Sequence, residues 1–561
     1  VTVMATNTVS AGAIRRVNIA ERLSAMAGRL GDKKAVICCA RRGSGFAYES
    51  LTFAELERRV HRYAHGLARV GVGRGVRVIL FVKPGFDFFA LVFALFRVGA
   101  VPVMIDPGIG RRQLHQCLAD IGADAFIGVP IAHVLRIMHR GSFRTVRSCV
   151  TVGRRWFWGG LRLSDLNVET NQLFPVAPTR VDDAAAILFT SGSTGPAKGV
   201  VYTHGVFDAQ VDYLNRHFGY GEDEIDVATF PLFALFDAAL GMTSIIPAMD
   251  FTRPGDVDPV AIIEPINAHQ ATHMFGSPAL LDRVSRFGAG HGVTLPSIKR
   301  VLTAGAPVQP TILKRMHGML DEGAEIHTPY GATEALPVAS IGSREILAET
   351  GARTEDGAGV CVGKPMDGVD VRVIRISDDR IEHLSANDIL PNGQIGEIIV
   401  RGPTVTRQYA EKPRATALAK IISGDTFWHR MGDVGYFDSE GRLWFCGRKA
   451  HRVTTRGGEM YTVCCEGVFN QHDAVRRTAL VGVGPRGDQT PVLCVELEKK
   501  GAGIDRCALT SELLALGATR GITKPIQTIL FHDGFPVDIR HNAKIFREKL
   551  AVRAAEKLGV R

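Results

Sequence analysis

The sequence predicts an α/β fold: a large N-terminal lobe of βαβ-built sheets flanked by helices, joined to a smaller C-terminal domain. Three observations predict it. Apolar runs of strand length alternate with helical patterns in the first hundred residues, the order that gives parallel sheets covered by helices. The chain has 561 residues, 46% hydrophobic and 22% charged, with a mean hydropathy of +0.08. That balance excludes disordered and collagenous classes and supplies core for about three or four structural units. Finally, a basic run after Gly447 breaks an apolar patch (Leu443, Trp444, Phe445), placing the domain boundary between 1–447 and 448–561.

Taken in order, Thr52 and Glu55 form a capping-box pattern, and Phe53, Leu56, Val60, Ala64 and Leu67 recur at helical spacing until Gly71. Residues 76–82 are a β-branched strand run, 87–98 a helix and 101–105 a second strand, which together make a βαβ unit. Further runs at 184–189, 200–202 and 398–400 are expected to extend the parallel pattern. The stretch 88–105 is the most membrane-like. Arg97 interrupts it and Asp87 and Asp106 bound it, so it does not supply the ~20 uncharged residues of a membrane span. Residues 1–18 carry Arg15 and Arg16 with no apolar run after them, unlike a signal peptide. The ten cysteines lack CxxC spacing and include the adjacent pairs Cys38-Cys39 and Cys464-Cys465. Neither a zinc site nor a disulfide framework is expected, and a reducing cytoplasmic location fits.

The charge is 67 basic against 57 acidic residues, +10 overall. It is local. Residues 448–561 hold 19 Lys plus Arg against 12 Asp plus Glu, and residues 111–162 hold nine Arg against two Asp. A polyanionic small molecule explains the C-terminal share better than nucleic acid does. For 111–162 the plain reading is a solvated arginine-rich face, and the alternative is a docking surface for an anionic partner or a peripheral membrane contact.

The most informative stretch is Thr190-Ser191-Gly192-Ser193-Thr194-Gly195-Pro196-Ala197-Lys198-Gly199, between two strand runs. Glycines let successive backbone N–H groups converge, hydroxyls add donors and Lys198 adds charge, as a polyphosphate requires. A Walker P-loop needs Lys and then Ser or Thr directly after its last glycine; here Lys198 lies three after Gly195 and is followed by Gly199.

This loop resembles that of the adenylate-forming enzymes, which include acyl-CoA synthetases, luciferases and nonribosomal-peptide adenylation domains. Other motifs follow in the family's order. Tyr330-Gly331-Ala332-Thr333-Glu334 resembles the segment that stacks on adenine, contacts the α-phosphate and binds magnesium. Gly305-Ala306-Pro307 resembles the adenine-pocket wall. Asp433 stands at the ribose-binding position, Arg448 at the second ribose contact, and Lys544 at the catalytic lysine. The resemblance implies ATP and Mg2+ as cofactors, with Glu334 as metal ligand, Thr190, Glu334 and Lys544 as catalytic residues, and a mobile α+β C-terminal domain. The chain departs from the pattern at Ala450 (the usual hinge), Ala543 (usually Gly), Ala234 (often His) and Thr462 (often Pro).

Residues 540–544 and 272–278 look most like one branch, the olefin-biosynthesis β-lactone synthetases. That likeness implies adenylation of a 2-alkyl-3-hydroxyalkanoic acid followed by ring closure, with thiolase-like, reductase and hydrolase-like pathway enzymes as partners and no nucleic acid. The alternative is a fatty acyl-CoA or acyl-carrier ligase, which would add coenzyme A and use the loop 456–462; a non-catalytic nucleotide-binding subunit ranks third. The acyl cleft is expected around Phe233, Phe236 and Phe275, with His204 and His273 as candidate bases for the substrate hydroxyl.

Overall fold

The computed structural model describes residues 15–105, 109–190, 197–498, 505–538 and 544–560. Among these, two seven-stranded sheets, one larger antiparallel sheet and two small C-terminal sheets form the frame.

The helix expected after Thr52 spans Phe53–Arg69. Thr52 accepts from the Glu55 amide and the Glu55 carboxylate accepts from the Thr52 amide, closing the capping box. Leu56, Val60, Ala64 and Leu67 are all buried on its inner face. The βαβ unit follows as strand Arg77–Phe81, helix Phe86–Arg97 and strand Val101–Ile105, with the two strands parallel. That helix is buried from Phe88 to Arg97. The one charge within that buried stretch is compensated: the Arg97 guanidinium donates to Glu57, Ser24 and the Phe174 carbonyl. The membrane-like stretch is therefore core helix and core strand.

The first sheet runs parallel from Leu161–Arg162 through Ser148–Thr151, Ala125–Gly128, Arg77–Phe81 and Val101–Ile105 to Ala184–Thr190. Its last strand, Lys198–Thr203, is antiparallel to Ala184–Thr190, with Lys198 opposite Thr190. The strands on either side of the glycine-rich stretch are thus paired antiparallel, and not as the parallel neighbours of a crossover. Gly199 accommodates the close pairing: a Cβ there would lie 2.7 Å from the Phe189 ring. The run 398–400 also departs from the parallel pattern. It belongs to strand Gly396–Arg401, which is antiparallel to both of its neighbours in the third sheet.

The second sheet orders Glu325–His327, Arg300–Leu302, His273–Phe275, Ile225–Ala228, Thr243–Ile246 and Lys34–Arg42 in parallel, and Gly45–Thr52 folds back on its edge. In the third sheet the hairpin Thr426–Phe437 and Leu443–Arg448 sets Asp433 opposite Arg448. Its turn is clamped by Asp438, which accepts from the Arg442 amide and Nε and from Trp444 Nε1, each at 2.9 Å. Burial would raise the Asp438 carboxyl, but these bonds outweigh it and carry it down to about 2. Beyond Arg448, two apolar clusters are drawn entirely from residues 453–555.

Candidate active site

The carboxyl ends of the second sheet's parallel strands converge on one edge, where open α/β sheets place ligands. Strand Ile225–Ala228 runs on into Phe230 and Phe233, strand His273–Phe275 ends at Phe275, strand Arg300–Leu302 leads to Gly305, and strand Glu325–His327 leads to Tyr330. Gly305 has φ +99, a conformation that favours glycine, so the chain can turn sharply before Ala306 and Pro307.

The third sheet meets this edge. Tyr330 donates its hydroxyl to Asp433 Oδ2 at 2.6 Å, and Arg448 Nη1 lies 2.9 Å from Asp433 Oδ1. Asp433 is 3% exposed. Burial pushes its carboxyl up, while Arg448, the Tyr330 hydrogen bond and Lys544 pull the other way. Its Oδ1 is ion-paired yet lacks a well-directed hydrogen bond, so an acceptor stands ready for a ribose hydroxyl.

Glu334 is held from two sides. Tyr409 donates its hydroxyl to Glu334 Oε1 at 2.7 Å, and the Glu334 carbonyl accepts from the amide and hydroxyl of Thr406 at 2.9 and 3.0 Å. The Thr333 carbonyl accepts from Tyr202 at 2.6 Å. Gly331 permits the tight return of this segment, since a Cβ there would lie 2.7 Å from the Ala335 carbonyl oxygen. Lys198 Nζ sits 4.8 Å from the centre of the Tyr409 ring, which links the end of the glycine loop to Glu334. Lys420 is buried and donates to the Thr406 carbonyl. Burial drives its pKa down to about 7, against the attraction of Glu334. Tyr409, Thr406 and Lys420 escape sequence reasoning because nothing near them in the chain marks them; Tyr409 and Glu334 are 75 residues apart.

Lys544, which follows the strand Thr528–His532 in the chain, is near enough to feel these charges. Burial and then Arg448 lower its pKa, while Asp538, Glu334 and Asp433 oppose the change. Its backbone is fixed: its amide donates to Asp538 Oδ1 at 3.1 Å and its carbonyl accepts from the Asp538 amide at 3.0 Å. Lys544, Arg448, Asp433, Glu334 and Tyr330 thus form one charged cluster. Ser191, Gly192, Ser193, Thr194 and Gly195 lie outside the described residues; Thr190 closes its strand opposite Lys198.

The aromatic wall is contiguous. The Phe233 ring lies 4.6 Å from Phe230, 4.8 Å from Phe275 and 6.5 Å from Phe236. All three of the phenylalanines expected to line the cleft are half-buried.

Neither histidine faces this wall. His204 opens helix His204–Phe218 with its ring buried; Nδ1 accepts from the Ile19 amide at 3.2 Å, and burial drives its pKa down to about 4. Its ring packs edge-on against Phe96, which in turn packs on Phe207. The contact the structure shows for His204 ties the N-terminal segment to the helix His204–Phe218. His273 lies one inward step below Phe275 on its strand, bonded to the Tyr220 hydroxyl at 2.8 Å and 3.6 Å from Asp226. Burial drives its pKa down to about 3. Beside it, Asp226 pairs with Asp237, which accepts from Ser244 at 2.7 Å. This polar cluster is the floor beneath the aromatic wall.

The family described as AMP-binding enzyme matches residues 23–410. The olefin beta-lactone synthetase of Stenotrophomonas maltophilia (strain K279a) is 50% identical over 557 residues, covering 98% of this chain and 100% of that protein. The protein of the same name from Xanthomonas campestris pv. campestris is 47% identical over 548 residues, covering 96% and 98%. Among solved structures, the amide bond synthetase McbA from Marinactinospora thermotolerans superposes with a TM-score of 0.76 at 23% identity, covering 96% of this chain and 99% of that one. At that identity the likeness is one of fold.

Proposed function

The chain belongs to the AMP-binding enzyme family, and from that premise we propose that it activates a fatty carboxylic acid with ATP as the acyl-adenylate. The acid is a 2-alkyl-3-hydroxyalkanoic acid, closed to a β-lactone with release of AMP and pyrophosphate. The observation that carries the reading is the Tyr330–Asp433–Arg448 geometry, with the Lys544 ammonium near enough to feel the charges of Arg448, Asp433 and Glu334. Near-full-length identity to two proteins named olefin beta-lactone synthetase supports the choice of product.

Each residue has a task. Asp433 accepts from the ribose hydroxyls through its under-bonded Oδ1, and Arg448 and Tyr330 hold that carboxylate in place. The Tyr330 ring and the turn Gly305-Ala306-Pro307 flank the base. Lys198 and the glycine loop receive the phosphates. Lys544 faces the charge that grows as the carboxylate attacks the α-phosphorus. Glu334, steadied by Tyr409, would hold Mg2+; a single protein carboxylate suits an ion that keeps waters and phosphate oxygens as its other ligands. When bound, the ion neutralises charge on the phosphates. The acyl chain packs along Phe233, Phe236 and Phe275. There the 3-hydroxyl and the activated carbonyl belong to one bound molecule, and their high effective molarity helps offset ring strain.

We assign 1–447 as the adenylating lobe and 448–561 as the mobile domain that delivers Lys544; apolar clusters confined to 453–555 support the division. Thiolase-like, reductase and hydrolase-like enzymes of an olefin pathway are the proposed partners. Incubation with ATP, Mg2+ and a synthetic 2-alkyl-3-hydroxy acid, with and without coenzyme A, tests the product by mass. A lactone formed equally well without coenzyme A is expected. A CoA thioester with no lactone would overturn the assignment in favour of acyl-CoA ligation.

A further inference from the structure

We propose that the face formed by helix Pro130–Met138, the turn Arg140–Phe143 and the loop 152–160 docks on an anionic lipid bilayer. The inference is independent of the acyl chemistry and rests on the make-up of that surface.

Between Asp124 and Asp165 the sequence contains no carboxylate and seven arginines. Arg140, Arg144, Arg147, Arg154 and Arg162 are exposed. Among the described residues none of the seven is ion-paired, and the sequence places no carboxylate between Asp124 and Asp165 that could pair with them. Uncompensated guanidinium groups present forked donors that match phosphate oxygens.

Apolar side chains emerge in the middle of this charge. Ile131 is 68%, Met138 71%, Trp156 52% and Phe157 78% exposed, and Phe157 is the most exposed large apolar side chain among the described residues. Four such side chains fall within one segment of 27 residues, where large exposed apolar groups together mark interaction surfaces. The loop is also anchored. Trp158, next to the exposed pair, is buried against His133 of the helix with rings stacked 5.1 Å apart, and its Nε1 donates to Thr151 at 2.9 Å. The Trp156 and Phe157 rings each lie 5.3 Å from it. Gly160 lets the loop pass close behind: a Cβ there would lie 2.6 Å from the Cys149 carbonyl oxygen. The aromatic pair is thus carried on a fixed base and costs little conformational entropy to insert.

Exposed Trp, Phe, Ile and Met in one segment with unpaired arginines are the composition of an interfacial anchor. Single-stranded nucleic acid also takes arginine and aromatic surfaces, but Ile131 and Met138 offer hydrocarbon and no stacking plane. The bilayer is the occupant that uses all of the exposed groups.

The test is co-sedimentation of the full-length protein with vesicles of phosphatidylcholine alone and of phosphatidylcholine with phosphatidylglycerol, at low and high salt. We expect binding to the anionic vesicles that weakens with salt. Removing one arginine should weaken it about five-fold, so R144Q/R147Q should lose about 25-fold, and W156S/F157S at least about tenfold. Both variants should keep the wild-type melting temperature and the wild-type ATP–pyrophosphate exchange with a water-soluble acid. No sedimentation with anionic vesicles at low salt would overturn the proposal. So would wild-type binding by correctly folded W156S/F157S, or a labelled single-stranded oligonucleotide bound by that variant as tightly as by wild type while vesicles are not bound.

Discussion

Replacing Lys544 with alanine isolates the step on which the functional assignment depends. The ammonium lies in a cluster with Arg448, Asp433 and Glu334, and its own charge is disfavoured by burial and by Arg448. A fixed cation facing charge that develops only in the transition state contributes about 3–4 kcal/mol, or roughly 100- to 1,000-fold in rate. Because that charge develops only in the transition state, most of the Lys544 contribution is absent from ground-state nucleotide binding. K544A is therefore expected to lower kcat for ATP–pyrophosphate exchange by that factor and to change KM for ATP by less than about threefold. The fold should survive, because the Asp538 contacts to residue 544 use its backbone amide and carbonyl. Exchange assayed beside a melting curve separates the two effects. The depressed pKa adds a second readout: the charge is present below that pKa and lost above it, so wild-type activity should fall on the alkaline side before a lysine's usual range. An active K544R enzyme should move that limb to higher pH. Exchange by K544A within tenfold of wild type, with an unchanged melting curve, would refute the role given to Lys544.

Three other outcomes follow from the geometry. Tyr409→Phe removes one hydrogen bond to the Glu334 carboxylate; because Glu334 is only half-buried and water can replace the donor, KM for Mg·ATP should rise about five- to tenfold with kcat nearly unchanged, measured by initial rates over a magnesium series. His204→Ala should cost about 2–3 kcal/mol of stability, through a lost buried ring and an orphaned Ile19 amide, yet leave the rate per folded molecule intact in a paired activity and urea titration. Asp237→Asn tests the paired carboxylates beneath the aromatic wall. Burial raises both their pKa values, so the folded state binds a proton more tightly than the unfolded chain. That contribution is full below the ordinary carboxylate pKa and is lost as pH rises through the raised one. Wild-type urea midpoints should therefore fall between about pH 4 and pH 7 more steeply than those of the variant, and equal slopes would show that the pair does not share a proton.

What the sequence determines by itself is local. The capping box and the spacing of Leu56, Val60, Ala64 and Leu67 specify the helix Phe53–Arg69, because a helix is built from contacts three and four residues apart. The glycine loop, Tyr330 to Glu334, Asp433, Arg448 and Lys544 are legible as chemistry because each motif is a short run of residue types. The tertiary structure decides which of these meet and which way the strands run. Tyr330 and Asp433 are 103 residues apart and join only because the strands Tyr330–Ala332 and Thr426–Phe437 are built into one sheet. Strand Lys198–Thr203 turns back antiparallel, and strand Gly396–Arg401 enters a different, antiparallel sheet. An apolar run looks the same whichever partner it will have. Tyr409 gains its hold on Glu334, and His204 its bond to the Ile19 amide, for the same reason: a side chain's surroundings are set by elements distant in sequence. The chain alone therefore names the chemistry, and the packing of its sheets chooses the residues that position it.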